Sequence, residues 1–383
     1  MADSSVYITN ISSFLPNDPV GNDEMERILG QVGNRPSRAR RLVLRSNGIK
    51  QRHYAIDPKT LKHNYTNAQI TAEAVKKIAD DNFSLNELGC LSCGTSIADQ
   101  LMPNHAAMVQ GELNLPTCEV VATSGVCLAG MSSLKYAYMS VLSGEHNNAI
   151  ATGSELSSAM MKADMFSAES EAQIETLEKQ PEIAFEKDFL RWMLSDGAGA
   201  VLLENKPAKD RLSLRIDWLH LYSYAGEMET CMYAGAVKND DGTTTGWQMF
   251  SSQERENQSV LAVKQDVKLL NPNIMHYTVE KPATDLVERY QLVPDHFDYF
   301  IPHYSSKYFE SEVQECLQRA GLDIPKERWF TNLSQKGNTG SASIYIMLDE
   351  LYHSRKLKSG ETLLCYVPES GRFSSAMMKL TVV

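Results

Sequence analysis

Short apolar runs alternate with amphipathic stretches along the whole chain, a pattern that is typical of α/β proteins. Apolar runs bounded by turn residues predict strands, and periodic stretches predict helices, one of which should be capped near Thr66 or Asn67. In the first half the predicted strands are 6–16, 87–96, 119–127, 147–154 and 197–205, and the helices are 66–83, 105–114 and 128–144. In the second half the strands are 211–223, 296–305, 328–334, 361–370 and 374–383, with helices at 306–321 and 341–356 and a mainly helical stretch at 253–290.

These units recur after roughly 205 residues without visible sequence identity, which is compatible with two like halves at 1–208 and 209–383. Two stretches interrupt the pattern. The acidic stretch 164–189 is either a solvated excursion or a lid near a binding site, and 224–252, rich in Gly, Met and aromatics, is either a substrate-facing loop or a surface connection.

Composition places the chain among ordinary globular proteins, because 43% of its 383 residues are apolar and 22% are charged. The net charge of −11 argues against nucleic-acid binding, which needs a basic surface. No run approaches the ~18 apolar residues of a membrane span, and the N-terminal residues do not resemble a signal peptide. We therefore expect a cytoplasmic protein.

The seven cysteines are odd in number and irregularly spaced, so a disulfide framework is not expected. Cys90 and Cys93 form the one C-x-x-C pair, but they lie in an apolar run that predicts a buried strand. We interpret that pair as structural, with no metal site and no redox role.

Cys127 differs from the other cysteines because it stands where a predicted strand meets a predicted helix, among small residues. Free N–H groups and the positive end of a helix dipole favour a thiolate, the form that attacks a thioester. The N–H of Cys127 would also help to bind the resulting oxyanion. A buried structural cysteine remains the alternative.

His303 and Asn338 occupy comparable positions, each predicted to follow a strand and to precede a helix. In parallel sheets such junctions meet at one crevice, so Cys127, His303 and Asn338 form a plausible nucleophile and acid/base set. The sequence does not show that the three side chains assemble.

Several motifs occur in an order and spacing that resemble the ketoacyl synthase III group of thiolase-fold condensing enzymes. They are GIKQRHYA, ATSGVCLAG, LSDGAGAVLLE, FIPHYSS, KGNTGSAS and SGRFSSAMMKL, and they span nearly the whole chain. The resemblance implies an α/β thiolase fold, with five αβαβα layers in two similar halves, and a homodimer.

The same resemblance implies that Cys127 accepts the acyl group and that His303 and Asn338 hold the second thioester as its enolate forms. It further implies an oxyanion hole built from the amides of Cys127 and Gly371, and it places Met102 in the acyl pocket of the dimer partner. Met102 could instead be simple interface packing. No bound cofactor or metal is implied, because the substrates are carried on the phosphopantetheine of coenzyme A or an acyl carrier protein.

Three features differ from the housekeeping members of the ketoacyl synthase III group and point to a subgroup of it. The histidine motif reads HYSS, the C-terminal glycine triplet reads SGR, and the chain is longer than those enzymes. Together they resemble the DarB-type ketosynthases of dialkylresorcinol and flexirubin pigment clusters, which join two acyl chains and form a cyclohexanedione. Initiation of fatty acid synthesis from acetyl-CoA and a malonyl carrier protein, α-pyrone formation, O-acyl transfer and a non-catalytic partner subunit remain alternatives.

A basic segment at 35–52 contrasts with the net negative charge. It either binds the acidic stretch or docks the phosphopantetheine arm and an acidic carrier protein. The residues predicted to dock are Arg38, Arg40, Arg41, Arg45, Lys50 and Arg52.

Overall fold

The computed structural model describes residues 5–32, 36–37, 40–166 and 190–383. The strands are β1 Tyr7–Phe14, β2 Val20–Gly21, β3 Gln51–Arg52, β4 Cys90–Thr95, β5 Glu119–Ser124, β6 Asn148–Glu155, β7 Gly197–Glu204, β8 Leu214–Ser223, β9 Met232–Tyr233, β10 Ala236–Lys238, β11 Thr244–Gly246, β12 Lys264–Gln265, β13 Tyr299–Pro302, β14 Thr362–Glu369 and β15 Ser374–Val382. The α-helices are α1 Met25–Leu29, α2 Arg40–Asn47, α3 Asn67–Lys76, α4 His105–Leu113, α5 Ala129–Ser143, α6 Ser158–Met161, α7 Ser252–Asn257, α8 Val267–Met275, α9 Lys281–Tyr290, α10 Glu310–Arg319, α11 Leu333–Lys336 and α12 Ser343–His353. Most of the acidic stretch 164–189, and Arg38, lie outside the described residues. Within those residues no helix is long and apolar enough to span a membrane.

Nine strands form one mixed sheet in the order β13-β14-β15-β8-β1-β7-β6-β4-β5. In the first half β4 is parallel to both β5 and β6, whereas β7 is antiparallel to β6 and to β1. In the second half β13 is parallel to β14 and, through a single bridge, to Trp329, whereas β15 is antiparallel to β14 and to β8. The two halves therefore repeat one topology, and their first strands, β1 and β8, pair at the centre.

The helices and the two halves of the sheet alternate to form five layers. Helices α3 and α4 cover the outer face of the first half, and α8, α9 and α10 contribute to the core on the outer face of the second. Helices α5 and α12 lie between the halves and share one apolar core with both. The boundary at 208/209 falls in the connection between β7 and β8, and as a domain boundary it stays a prediction.

The predicted strand at 328–334 is wrong. Trp329 forms only an isolated bridge with Phe300, and its ring stands edge-on to that of Phe300 at 4.9 Å. The apolar alternation reflects this packing, but the chain turns into α11 at Leu333 before a ladder can form. Cys90 and Cys93 do lie in a buried strand, as predicted.

Candidate active site

One cavity of about 510 Å³ lies where the two halves meet. Its lining includes Cys127, Asn338 and Gly371, three of the residues singled out in the sequence. It also includes two carboxylates, Glu155 and Glu369, that sequence reasoning missed. Its size is in the range of small-molecule sites.

Cys127 stands in the turn between β5 and α5, as predicted. The turn packs tightly against β4, since a Cβ on Gly94 would lie 2.2 Å from the carbonyl oxygen of Ala129. Thr123 Oγ1 donates to that same oxygen at 2.8 Å. The small residues around Cys127 therefore let the strand, the turn and the helix approach one another closely.

The prediction that this position favours a thiolate is wrong. Burial raises the pKa of the Cys127 thiol, and the nearby carboxylates of Glu155 and Glu369 raise it further. The N–H groups of Val126 and Leu128, which flank Cys127, donate to Glu369 Oε2 at 2.8 and 3.1 Å rather than facing the sulfur. Cys127 is therefore a neutral thiol at physiological pH.

His303 follows β13, where the sequence places it, and its backbone N–H donates to the carbonyl of Tyr366 at 2.8 Å. Burial lowers the pKa of its imidazole to about 4, so the ring is neutral at physiological pH and can accept a proton. His303 is not itself among the residues that line the cavity, whereas Ser305, two residues on, is.

Asn338 is held between two glycines in the left-handed region, Gly337 at φ +71° and Gly340 at φ +52°. The N–H of Gly340 donates to Asn338 Oδ1 at 2.9 Å, and Nδ2 has no acceptor within the part of the chain that the structure describes. The side chain therefore offers its amide hydrogens to the cavity. Asn338 follows α11 rather than the predicted strand, which corrects its local setting, and its role stays a prediction.

Glu155 ends β6 and is buried, with a relative exposure of 5%. Its Oε1 accepts hydrogen bonds from Ser96 N at 3.2 Å, Ser96 Oγ at 2.6 Å and Ser341 N at 3.1 Å. Burial raises the pKa of Glu155 to about 7, although the hydrogen bonds from Ser96 and Ser341 stabilise the carboxylate and lower the pKa in part. A carboxyl group with that pKa can both give and take a proton near neutral pH.

Gly371 lies in the turn between β14 and β15, and its carbonyl accepts from the N–H groups of Cys231 and Met232 at 2.8 and 3.3 Å. The chain around Cys231 thus supports the cavity wall, and Thr230 and Tyr233 also line it. Part of the stretch 224–252 therefore faces the cavity, which favours the substrate-facing alternative. The oxyanion role of Gly371 stays a prediction.

The cations of the basic segment 35–52 differ in exposure, because some are buried or ion-paired and others are exposed to solvent. Arg52 is fully buried and donates to Asn22 and to the carbonyl of Trp192, so its predicted place in a docking surface is wrong. Arg40 forms ion pairs with Glu26 at 3.0 Å and Asp23 at 3.2 Å. The exposed members among the described residues are Arg41, Arg45 and Lys50.

Comparisons with known proteins agree with this architecture. Residues 287–378 match the model of the 3-oxoacyl-[acyl-carrier-protein] synthase III C-terminal family. The chain is 24% identical over 376 residues to the β-ketoacyl-[acyl-carrier-protein] synthase III of Koribacter versatilis, covering 97% of this chain and 96% of the relative.

Two solved structures share its fold. A tetronic acid condensing enzyme, AbyA1, aligns with a TM-score of 0.75 at 17% identity over 98% of this chain and 99% of its own. Xanthomonas campestris OleA with bound lauric acid and lauroyl-CoA aligns with a TM-score of 0.70 at 18% identity over 98% of both chains. The fold is the thiolase fold, as predicted. The chain is an acyltransferase similar to the ketoacyl synthase III condensing enzymes.

The buried neutral imidazole of His303 gives a pH-dependent stability. Between about pH 6.5 and 4 the unfolded chain binds a proton at this histidine and the folded chain does not, so the free energy of unfolding falls as pH falls. We expect His303→Gln to reduce that slope by about 1 kcal/mol per pH unit, measured by urea unfolding at several pH values.

His105→Gln is the matched control, because burial lowers the pKa of His105 to about 4 as well, away from the cavity lining. Both variants should flatten the slope, but only His303→Gln should abolish turnover. An unchanged slope in His303→Gln would show that the imidazole is charged or exposed in the folded chain.

Proposed function

We propose that the protein joins two acyl thioesters by a Claisen-type reaction through an acyl group on Cys127, and that it closes the product to a 1,3-cyclohexanedione precursor of dialkylresorcinols. The observation that carries this proposal is the shared cavity. It combines a nucleophile, the free amide hydrogens of Asn338 and a carboxyl group, Glu155, with a pKa of about 7.

Loading begins from the neutral thiol of Cys127. As its sulfur attacks the thioester carbonyl, the thiol proton passes to the neutral imidazole of His303, and the N–H groups of Cys127 and Gly371 bind the oxyanion. The carrier thiol then leaves with the proton from His303. The enzyme keeps the acyl group as a thioester on Cys127.

Condensation needs a carbanion from the second substrate. Asn338 Nδ2 and His303 donate hydrogen bonds to the carbonyl oxygen of that substrate as it becomes an enolate, and such donors contribute roughly 10²–10³-fold each. A 3-oxoacyl thioester has an acidic hydrogen between its carbonyls, and Glu155 accepts this proton. The enolate carbon attacks the acyl group on Cys127, the C–S bond to Cys127 breaks, and Glu155 returns its proton to the departing sulfur.

Ring closure forms a second C–C bond when the acyl group delivered from Cys127 is a 2-enoyl group. A second proton is removed from C4 of the former 3-oxoacyl substrate, this carbanion adds to the β-carbon of the enone, and the α-carbon takes up a proton, which closes a six-membered ring. The carrier thioester is then hydrolysed, the carrier thiol leaves and the resulting β-keto acid loses carbon dioxide. Glu155 can serve both steps, because a carboxyl group with a pKa near the working pH releases one proton and takes up another readily. A synthase that decarboxylates malonyl groups generates its carbanion without such a base. The buried carboxyl therefore favours the cyclising reaction.

Initiation of fatty acid synthesis is the second candidate, and the name of the Koribacter relative favours it. α-Pyrone formation and O-acyl transfer would use the same acyl-Cys127 intermediate. A non-catalytic subunit would not need Cys127 and Asn338 together on one cavity. The products, rather than the intermediate, separate these candidates.

Product analysis decides between them. With a medium-chain 2-enoyl thioester and a medium-chain 3-oxoacyl thioester, we expect mass spectrometry to detect a cyclic dione, because the double bond supplies the carbon that the second carbanion attacks. Glu155→Gln should still acylate Cys127 but should form the dione about 10²–10⁴-fold more slowly, because it lacks the base. A linear 3-oxoacyl product, formed from acetyl-CoA and malonyl carrier protein, would establish the initiation reaction instead.

We also propose a homodimer in which Met102 enters the acyl pocket of the partner. Leu101 and Met102 are 78% and 84% exposed and do not line the cavity of their own chain. Apolar side chains presented in this way are typical of interaction surfaces. If Leu101 and Met102 only packed in the dimer interface, without entering the partner's acyl pocket, they would be equally exposed in a single chain.

Carrier-protein docking is proposed for the exposed cations. Arg41→Glu with Arg45→Glu should raise the KM for acyl carrier protein several-fold and leave the KM for acyl-CoA nearly unchanged. Salt should weaken the wild-type interaction, since charges on the surface are screened over about 10 Å at 0.1 M. Steady-state kinetics with both carriers measure these effects.

Lys206→Glu is the matched control for charge reversal. Lys206 is exposed and comes just after β7, which ends at Glu204. Glu204 pairs with Asn148, the first residue of β6, whereas Glu155 is the last residue of β6, so Lys206 lies at the far end of the strand from the site. This variant should leave both KM values unchanged. An unaltered carrier-protein KM in the double variant would show that the basic segment does not dock the carrier.

A further inference from the structure

Glu369 connects the two halves at the nucleophile. It ends β14 in the second half, and its Oε2 accepts hydrogen bonds from the N–H groups of Val126 and Leu128 in the first half. A Cβ on Gly125 would lie only 3.1 Å from this oxygen, so the glycine leaves room for the carboxylate. The side chain therefore holds the turn on both sides of Cys127.

The groups that remain unbonded are informative. Among the described residues, the N–H of Cys127 donates to no other residue, although both neighbouring N–H groups are engaged. The N–H of Gly371 likewise has no acceptor there, whereas its carbonyl is held by Cys231 and Met232. Glu369 Oε2 accepts from both neighbours of Cys127, and a Cβ on Gly371 would lie 3.2 Å from Glu369 Oε1, so the carboxylate contacts both turns.

We infer that Glu369 is a positioning residue that ties the Cys127 turn to the Gly371 turn and so keeps their two N–H groups in a fixed relation as the oxyanion hole. The inference rests on the proposed role of Cys127. Fixed donors matter because catalysis by an oxyanion hole depends on groups that need no reorganisation during the reaction. Without the carboxylate, the N–H groups of Val126 and Leu128 would compete for the same oxyanion or turn to water.

The hydrogen bonds of Glu369 and its charge have opposite effects. The bonds hold the oxyanion donors, whereas the negative charge raises the pKa of Cys127 and opposes its reaction as a thiolate. Glu369→Gln keeps an oxygen acceptor of the same shape and removes the charge. Glu369→Ala removes both, so the pair of variants separates the two effects.

Two measurements on the pair test the inference. For turnover, we expect Glu369→Ala to lower kcat about 10–10³-fold with little change in KM, and Glu369→Gln to stay within about tenfold of wild type. For the alkylation of Cys127 by iodoacetamide, we expect both variants to react at lower pH than wild type, since a negative charge near the sulfur is gone. The alkylation profile reports the charge of Glu369, whereas the recovery of kcat by Glu369→Gln, which keeps the acceptor oxygen, reports the hydrogen bonds that position the turn.

Two outcomes would overturn the inference: wild-type kcat in Glu369→Ala, or equal losses in Glu369→Gln and Glu369→Ala. If Glu369→Ala does not fold, Glu369→Leu replaces it, since leucine fills similar space and accepts no hydrogen bond. Acylation of the wild type is measured in parallel. An unacylated Cys127 there contradicts the proposed function, whereas normal acylation with unaffected Glu369 variants contradicts only this inference.

Discussion

The site depends on one close contact between the two halves. A Cβ on Gly130 or Gly153 would lie 2.3 or 2.2 Å from the carbonyl oxygen of Ser341, so only glycine allows the Asn338 turn to reach the start of α5. Ser341 also donates through its N–H to Glu155 and through its hydroxyl to the carbonyl of Ser154. This contact brings Asn338 of the second half and Cys127 of the first half to the lining of one cavity.

The electrostatics of the site follow from the same burial. Taking Cys127, His303 and Glu155 out of water disfavours the charged form of each, so the pKa of the thiol and of the carboxyl rises and that of the imidazole falls. The site therefore begins from neutral partners rather than from a thiolate and an imidazolium. For the thiol and the imidazole, charge develops only during the reaction, where the amide donors can bind it.

The sequence allowed the reactive side chains to be found, because each stands at a junction or in a turn with its own local signature. Cys127 has small neighbours after a strand, and Asn338 has flanking glycines that the left-handed backbone requires. The strand order could not be derived from the pattern of residues, although the family resemblance implied the fold. Pairing of β1 with β8 and the single bridge at Trp329 depend on contacts between distant segments.

The sequence did not reveal Glu155 and Glu369 as site residues and wrongly predicted a thiolate at Cys127, and both errors have the same cause, which is burial between the two halves. Glu155 and Glu369 are single acidic residues at strand ends, where sequence alone favours exposure to solvent. Their burial, and the capture of the Val126 and Leu128 N–H groups by Glu369, arise only when the halves meet. Arg52 shows the converse, since a cation in a basic run became a buried donor to the Trp192 carbonyl.

The most direct test of the proposed mechanism is to locate the acyl group after one molar equivalent of acyl thioester is added to the protein. Peptide mass spectrometry should find it on Cys127 alone among the seven cysteines, and Cys127→Ala should acquire none. An acyl group on another cysteine, or equal acylation of the Cys127→Ala variant, would contradict the assignment of the nucleophile and the mechanism built on it.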